Sequence, residues 1–250
     1  MESTQQQGYY ERQAAYYDAI YAGHGKDYAA ESEALHGIIE AYKKTAGKDL
    51  LDVACGTGVH LTYLKNWYTA EGLDLDASML NVARLRHPDL TFHRADMTTF
   101  DLGRQYDAVT CLFSAIGYAR TLDGLNAAID HMARHVRPGG VLVVEPWFSP
   151  EQWQVGTTHA TYIDQSGLKL ARMSISERKG DVSVLRFHFL VATLADVQYF
   201  NELHELGLFT QEQYLAAFTS TGLAVGYNEQ GLTGRGLYVG IKPLQTNDAT

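Results

Sequence analysis

A short apolar run, Leu50-Leu51-Asp52-Val53-Ala54, leads straight into Cys55-Gly56-Thr57-Gly58, and helical spacing follows at Leu61, Leu64, Trp67 and Tyr68. This unit constrains the fold more than any other stretch, because a buried strand followed by a helix meets its next strand in parallel. The pattern recurs. Gly72-Leu73-Asp74 closes a second strand, Asp76 stands where it caps a helix through Arg86, and a third strand runs from Leu90 to Arg94 after the break at Pro88. A fourth runs from Tyr106 to Cys111. The helix after it sets Leu125, Ile129, Met132 and Val136 on one face, with Pro138-Gly139-Gly140 as its stop, and a fifth strand covers Val141 to Glu145. This alternation predicts an α/β fold with a doubly wound, Rossmann-like parallel sheet covered on both faces. Ahead of it, Ala34, Leu35, Ile38, Ile39 and Tyr42 predict a helix from Asp27 to Tyr42, ended by Lys43-Lys44 and Gly47.

After Trp147 the period changes to 2. Lys169, Arg172, Ser174 and Ser176 interleave with Leu168, Leu170, Met173 and Ile175, and a second apolar run covers Val182 to Val191. An antiparallel β insert of three or four strands therefore follows the fifth strand. It ends near Leu208, where Thr210-Gln211-Glu212-Gln213 has the form of a capping box for a helix carrying Tyr214, Leu215 and Phe218 and closed by Gly222. Strands Ala224 to Tyr227 and Leu237 to Ile241 then flank a hairpin, Gln230 to Gly236. The expected division is an N-terminal helical lid (1–46), a core (47–150 and 209–243), the insert (151–208), and a tail (244–250) whose last residues, from Gln245, read as disordered.

Composition narrows the function. Lys and Arg number 20 against 29 Asp and Glu, a formal charge of -9, which argues against capture of nucleic acid or an anionic membrane. Cys55 and Cys111 are too few for a disulfide framework, and no CxxC or HExxH spacing suggests a metal site. The first residues lack the basic start and apolar core of a secretory leader, so a cytoplasmic protein is expected. His131 and His135, four apart on a helix, read as ordinary surface histidines. Six of the 16 tyrosines fall within the first 28 residues: Tyr9, Tyr10, Tyr16, Tyr17, Tyr21 and Tyr28.

The Asp52-to-Gly58 turn with Asp74 at the neighbouring strand end is the strongest chemical signal. Small residues let a ligand approach the backbone, and a carboxylate there accepts from ribose hydroxyls, which makes this a nucleoside site. Leu61 stands where a dinucleotide fingerprint needs its third glycine, which disfavours NAD.

These residues, with Ala95-Asp96-Met97 and the strand ending at Cys111, resemble the class I S-adenosylmethionine-dependent methyltransferases. A narrower likeness lies in Tyr17-Asp18, Gly25-Lys26-Asp27-Tyr28, Phe113-Ser114-Ala115-Ile116-Gly117, Glu145-Pro146-Trp147 and Gly234-Arg235-Gly236-Leu237. Together with the Asp52-to-Gly58 turn, these segments are similar to the N,N-dimethyltransferases of thymidine-diphosphate 3-amino sugars, from about Tyr9 to Ile241. The resemblance implies S-adenosyl-L-methionine as cofactor, with Asp52, Ala54, Gly56, Gly58 and Cys111 around it. Asp74 would hold its ribose, Asp96 and Met97 its adenine edge, and Tyr17 and Tyr28 its methionine end. Tyr9, Trp147 and Arg235 would line the nucleotide-sugar site, and Tyr118 would orient the amine or accept its proton. Family members often carry Glu at position 74, some carry His at 118, and the hairpin here reads Leu232-Thr233 where Pro-Ser is usual. Three readings remain at this point: an amino-sugar N-methyltransferase, a methyltransferase for another small amine or hydroxyl compound, and a non-catalytic cofactor-binding subunit. The insert is also expected to serve substrate binding or a homodimer contact.

Overall fold

The computed structural model describes residue 14 and residues 16–23 and 25–244. The expectations for Tyr9 and Tyr10 and for the end of the tail lie outside the described residues. The main sheet has seven strands in the order β3-β2-β1-β4-β5-β11-β10. β1 (Asp49–Val53), β2 (Thr69–Asp74), β3 (Thr91–Arg94), β4 (Tyr106–Cys111) and β5 (Val136–Val144) are parallel, while β11 (Leu237–Ile241) runs antiparallel to β5 and to β10 (Ala224–Asn228). Alternate side chains of each central strand enter different cores, as pleating requires. Leu51, Val53, Val109, Leu142 and Val144 pack with α5 (Leu122–Arg134) and α6 (Gln211–Ser220). Leu50, Ala108, Val141 and Val143 face the opposite way, toward α2 (Tyr28–Tyr42) and α3 (Val59–Leu64).

Local chemistry explains most element ends. Asp27 caps α2 by accepting from the Ala30 amide, and Asp76 caps α4 (Ala77–Arg86) by accepting from Ser78 and Met79. The Thr210 and Gln213 capping box forms as expected. Several boundaries differ from expectation. α3 stops at Leu64, leaving Trp67 and Tyr68 in the turn beyond it. β3 starts at Thr91. Val136, expected to end a helix, instead starts β5: α5 stops at Arg134, and Pro138-Gly139-Gly140 lie inside the strand. The register shifts between Tyr106 paired with Val136 and Ala108 paired with Val141, so the turn residues there mark a bulge in a continuing strand rather than a stop.

The insert is a separate antiparallel sheet of four strands, β6 (Thr158–Gln165), β7 (Leu168–Lys179), β8 (Val182–Thr193) and β9 (Val197–Gly207). Its buried face carries Ile163, Leu170, Phe189, Val191 and Phe200, and Ile20 of α1 (Tyr17–Gly23) packs into that cluster. His131 is half-buried and His135 buried, against the surface placement expected for both. The His131 Nδ1 lies 2.7 Å from the Phe100 carbonyl, and buried His135 accepts from the Leu102 amide through Nε2 at 2.9 Å, so the pair anchors the chain between β3 and β4. No helix among the described residues is long and apolar enough to cross a membrane.

Candidate active site

Strand order reverses between β1 and β4, and one continuous cavity of about 2410 Å³ opens beyond the carboxyl ends of these strands. Drug-sized ligand pockets are roughly 300–1,000 Å³, so this one accommodates two molecules side by side. One side is built by the turn after β1, where Ala54 and Gly56 take left-handed φ values of 57° and 56°. For Ala54 that conformation costs about 1–2 kcal/mol. A Cβ at Gly56 would meet nothing within 4 Å, so its backbone stands bare toward the cavity.

Asp74, ending β2, accepts from the Gly56 amide through Oδ2 and from the Asp76 amide through Oδ1, each at 2.8 Å. Its carboxylate thus braces the turn that it faces. Burial nevertheless pushes its pKa up to about 6, outweighing those amides. Asp52 is pushed up to about 6 for the same reason, although Thr110 Oγ1 donates to it at 2.8 Å. Asp96 and Met97 line the cavity next to Asp74, and Asp96 Oδ1 accepts from the Thr98 amide and hydroxyl at 2.8 and 2.7 Å. Tyr17 and Tyr28 also line the cavity, and burial raises both phenols. The Tyr28 hydroxyl is buried without a hydrogen-bond partner among the described residues.

The other side is cationic and aromatic. Arg235, from the hairpin between β10 and β11, donates to Ser114 Oγ at 2.9 Å, and its guanidinium lies 5.5 Å from the Phe113 ring and 5.6 Å from Trp147. Phe113 and Ser114 both have positive φ, at 52° and 61°. Buried Glu145 holds this corner. It accepts from the Phe113 amide at 2.6 Å and from the Thr233 hydroxyl, tying the loop after β4 to the hairpin. The hairpin is pinched so closely that a Cβ on Gly231 would lie 2.5 Å from the Gly236 carbonyl oxygen. Trp147 donates to Ser183 Oγ of β8 at 2.9 Å, joining the corner to the insert.

Two residues expected at the cofactor stand elsewhere. Gly58 begins α3, and its carbonyl lies 3.0 Å from His87 Nε2; the residue shapes the turn without lining the cavity. Cys111 is fully buried in the main core, because the last residue of β4 points down between β5 and α5. Cys55, Tyr118, Trp147 and Arg235 do line the cavity.

Other lining residues were not singled out from sequence. Lys26 pairs with Glu31 at 2.6 Å, and Glu31 in turn meets His60 Nε2 at 3.0 Å. Arg172 on β7 points inward with Thr161, Ser174 and Ser176, while Met173 and Ile175 are half exposed. The period-2 pattern marks these strands, but a polar residue at alternate positions reads as solvent-facing, and here that face borders the cavity. A latch joins α1 to the turn: Thr57 Oγ1 donates to Asp18 Oδ1 at 2.7 Å, and Arg86 donates to both Asp18 and the Thr57 carbonyl.

Comparison with known proteins agrees with this geometry. Residues 50–140 match the methyltransferase domain family. The chain is 44% identical over 227 residues to the dTDP-3-amino-3,4,6-trideoxy-alpha-D-glucopyranose N,N-dimethyltransferase of Streptomyces venezuelae, covering 90% of this chain and 95% of that one. The chain belongs to the amino-sugar N-methyltransferases. The crystal structure of Streptomyces venezuelae DesVI superposes with a TM-score of 0.87 at 43% identity, over 92% of this chain and 98% of that one. The S-adenosylmethionine-bound structure of CalS10, an amino pentose methyltransferase from Micromonospora echinaspora involved in calicheamicin biosynthesis, superposes with a TM-score of 0.82 at 40% identity, over 90% and 96%. The fold is therefore that of a class I methyltransferase with an antiparallel insert after β5, and the enzyme is an S-adenosylmethionine-dependent N-methyltransferase. The residues present suit that cofactor: a bare glycine backbone, two carboxylates at the strand ends and a buried Tyr28 hydroxyl with no partner among the described residues.

Proposed function

We propose that this enzyme methylates the amino group of a thymidine-diphosphate-linked amino-deoxysugar, twice, to the dimethylamine. The observation that carries the reading is the polarity of the cavity: carboxylates Asp52 and Asp74 at one end, and Arg235 between Phe113 and Trp147 at the other. Asp74 accepts from the ribose hydroxyls of the cofactor, Asp96 and the Met97 amide meet its adenine edge, and Asp52, Ala54 and Gly56 flank its methionine part, with Tyr17 and Tyr28 hydroxyls at the same end. Arg235 offers paired donors to the diphosphate of the second substrate, whose sugar and base pack on Trp147. A net charge of -9 does not oppose this, since one diphosphate is met locally by one guanidinium.

The bound cofactor supplies an electrophilic methyl group: the amine lone pair forms the N–C bond while the C–S bond breaks and its electron pair stays on sulfur. The chain aligns the amine, excludes water through the tyrosines of α1 and α2, and admits the neutral amine. Residues ahead of β1 thus act as a lid over a core that ends near residue 243, with the insert as the substrate wall. The same reading places the enzyme in the cytoplasm, acting on a free small molecule and on neither nucleic acid nor membrane. Its insert is also a proposed homodimer surface, because Tyr162, Leu190 and Tyr199 stand exposed in one row across β6, β8 and β9; sedimentation that shows a monomer at high protein concentration would count against it.

The test is incubation with cofactor and matched thymidine-diphosphate sugars bearing either an amine or a hydroxyl at the reacting carbon, with products weighed by mass spectrometry. Two added methyl groups on the amine and none on the hydroxyl are expected. Methylation of the hydroxyl compound, or of amines lacking the nucleotide equally well, would favour a different small-molecule substrate.

A further inference from the structure

Three polar side chains form a line from the cavity into the insert sheet. Tyr118, on the short 3-10 turn Ala115–Ala119, lines the cavity, and its hydroxyl lies 2.6 Å from His204 Nδ1. His204 on β9 is 7% exposed, and its Nε2 lies 3.3 Å from Glu202 Oε2. Glu202, 4% exposed, shares His204's face of the strand because the two are two residues apart. The second Glu202 oxygen, Oε1, is buried without a hydrogen-bond partner among the described residues. Phe187 meets the His204 ring edge-on at 5.1 Å and limits its rotation.

Carboxylate, imidazole and hydroxyl in series form the arrangement in which a base is oriented by a third group. A carboxylate only accepts, so His204 carries its proton on Nε2, which leaves Nδ1 to accept from the Tyr118 hydroxyl. Burial pushes the Glu202 carboxyl up, while its hydrogen bond to His204 and the nearby Arg172 pull it back; a poorly solvated carboxylate holds the imidazole proton firmly. Titratable and charged groups facing this line include Tyr17 from α1 beside Tyr118, Arg172 from β7 and, across the cavity, Asp76 at the start of α4. Methylation converts a neutral amine to an ammonium, and a second methylation of the same nitrogen needs that proton removed first.

We propose that Tyr118, His204 and Glu202 form a proton relay that returns the monomethylated nitrogen to its neutral form between the two transfers. The inference rests on the amine-methylation reading above. The N–H bond of the product ammonium breaks and its proton passes to Tyr118 Oη, as the proton already on Tyr118 passes to His204 Nδ1. The resulting imidazolium is held by the Glu202 carboxylate until it releases a proton to solvent. Tyr118 is the group that touches substrate; His204 and Glu202 act through it and are positioning and relay residues.

His204→Gln separates this role from a structural one, because glutamine can accept from Tyr118 and donate to Glu202 but cannot take up the proton. The expected result is normal folding and cofactor affinity, a first methylation within about threefold of the parent, and a second slowed by about tenfold, so that monomethyl product accumulates. That excess should shrink as pH rises, because hydroxide and a larger neutral-amine fraction replace the relay. Glu202→Gln should shift the ratio in the same direction by a smaller factor, and it serves as the second variant should His204→Gln fail to fold. A readout independent of turnover is imidazole ¹⁵N NMR of the free protein, where the neutral form of His204 should carry its proton on Nε2. A proton on Nδ1 would overturn the relay, as would an unchanged mono-to-dimethyl ratio in both folded variants. Parent enzyme that binds cofactor but methylates no amino sugar would instead overturn the substrate reading, and the relay with it.

Discussion

The two ends of the cavity are built from different materials. The end formed by β1 and β2 rests on backbone: left-handed Ala54 and Gly56, and a carboxylate, Asp74, fixed by two main-chain amides. The opposite end rests on side chains brought from four distant places, with Arg235 on a hairpin, Phe113 and Ser114 after β4, Trp147 after β5 and Arg172 in the insert. A site made from backbone geometry keeps one ligand and tolerates little change. One made from side chains on loops and a separate sheet can be altered residue by residue, which suits a substrate that varies among relatives, as the amino pentose and trideoxy amino hexose in their names do.

The sharpest break of this contrast is Asp74→Ala, which removes both the proposed ribose acceptor and the brace on Gly56. Cofactor affinity measured by calorimetry should fall about 100-fold, as for loss of roughly 3 kcal/mol of hydrogen bonds to a charged group. Affinity within threefold of the parent would mean that the carboxylate serves the turn alone. Next in size is Arg235→Ala. Loss of charge-assisted contacts to a diphosphate should raise KM for the nucleotide-linked substrate by about 10- to 100-fold, with cofactor binding unchanged. Equal loss at both sites would show that the two ends do not act separately.

Their legibility in the sequence differs for the same reason. The backbone-built end was readable because its chemistry lies in consecutive residues, Asp52 to Gly58, with Asp74 at a fixed distance along the chain. Where it misled, at Cys111 and Gly58, the cause was direction: adjacent residues of a strand or turn point opposite ways, and one that is a single place off serves the core or a helix start. The side-chain end gave up Trp147 and Arg235 only through resemblance, since a lone turn arginine has no local signature. Arg172 was legible only as one polar residue of a strand pattern, and Glu202 and His204 not at all. Alternation in β7 and β9 reveals a strand but not which face is covered, and the buried face here is mixed, with Leu170 and Phe200 in the apolar cluster and Arg172, Glu202 and His204 farther along the same strands. The boundary error at Val136 is similar, because Pro-Gly-Gly signals a departure from regular geometry that a bulge satisfies as well as a helix end does.

A smaller effect concerns pH. Asp52 and Asp74 titrate near 6 in the free protein because burial disfavours their charge. Both are raised above their unfolded values, so protonation favours the native state. Their contribution to stability is fully present below the unfolded pKa near 4 and is lost as pH rises through about 6. The proposed ribose contact needs the carboxylate form of Asp74, so cofactor binding should release protons and tighten with pH. Affinity is expected to fall by about three- to tenfold between pH 7.5 and 5, and calorimetry in buffers of different ionisation enthalpy should detect the released proton. The nucleotide end should lack this dependence, because its proposed contact to the diphosphate involves no carboxylate.

The smallest expected effect tests whether the ends communicate through α1. That helix packs Ile20 into the insert and is latched to the cofactor turn by Asp18, Thr57 and Arg86. The Asp18 and Arg86 side chains are partly exposed, at 35% and 28%, so screening limits the pair to less than about 1 kcal/mol of stability. Arg86→Gln should therefore leave the melting temperature nearly unchanged. It should still speed cofactor release two- to fivefold, because α1 carries Tyr17, which lines the cavity, and is freed on one side. Thr57→Val removes the other strand of the latch, and the double variant should release cofactor less than multiplicatively faster, since both changes free the same helix. Independent effects would instead mean that Arg86 acts on the turn through the Thr57 carbonyl alone, leaving the insert and the cofactor end mechanically separate.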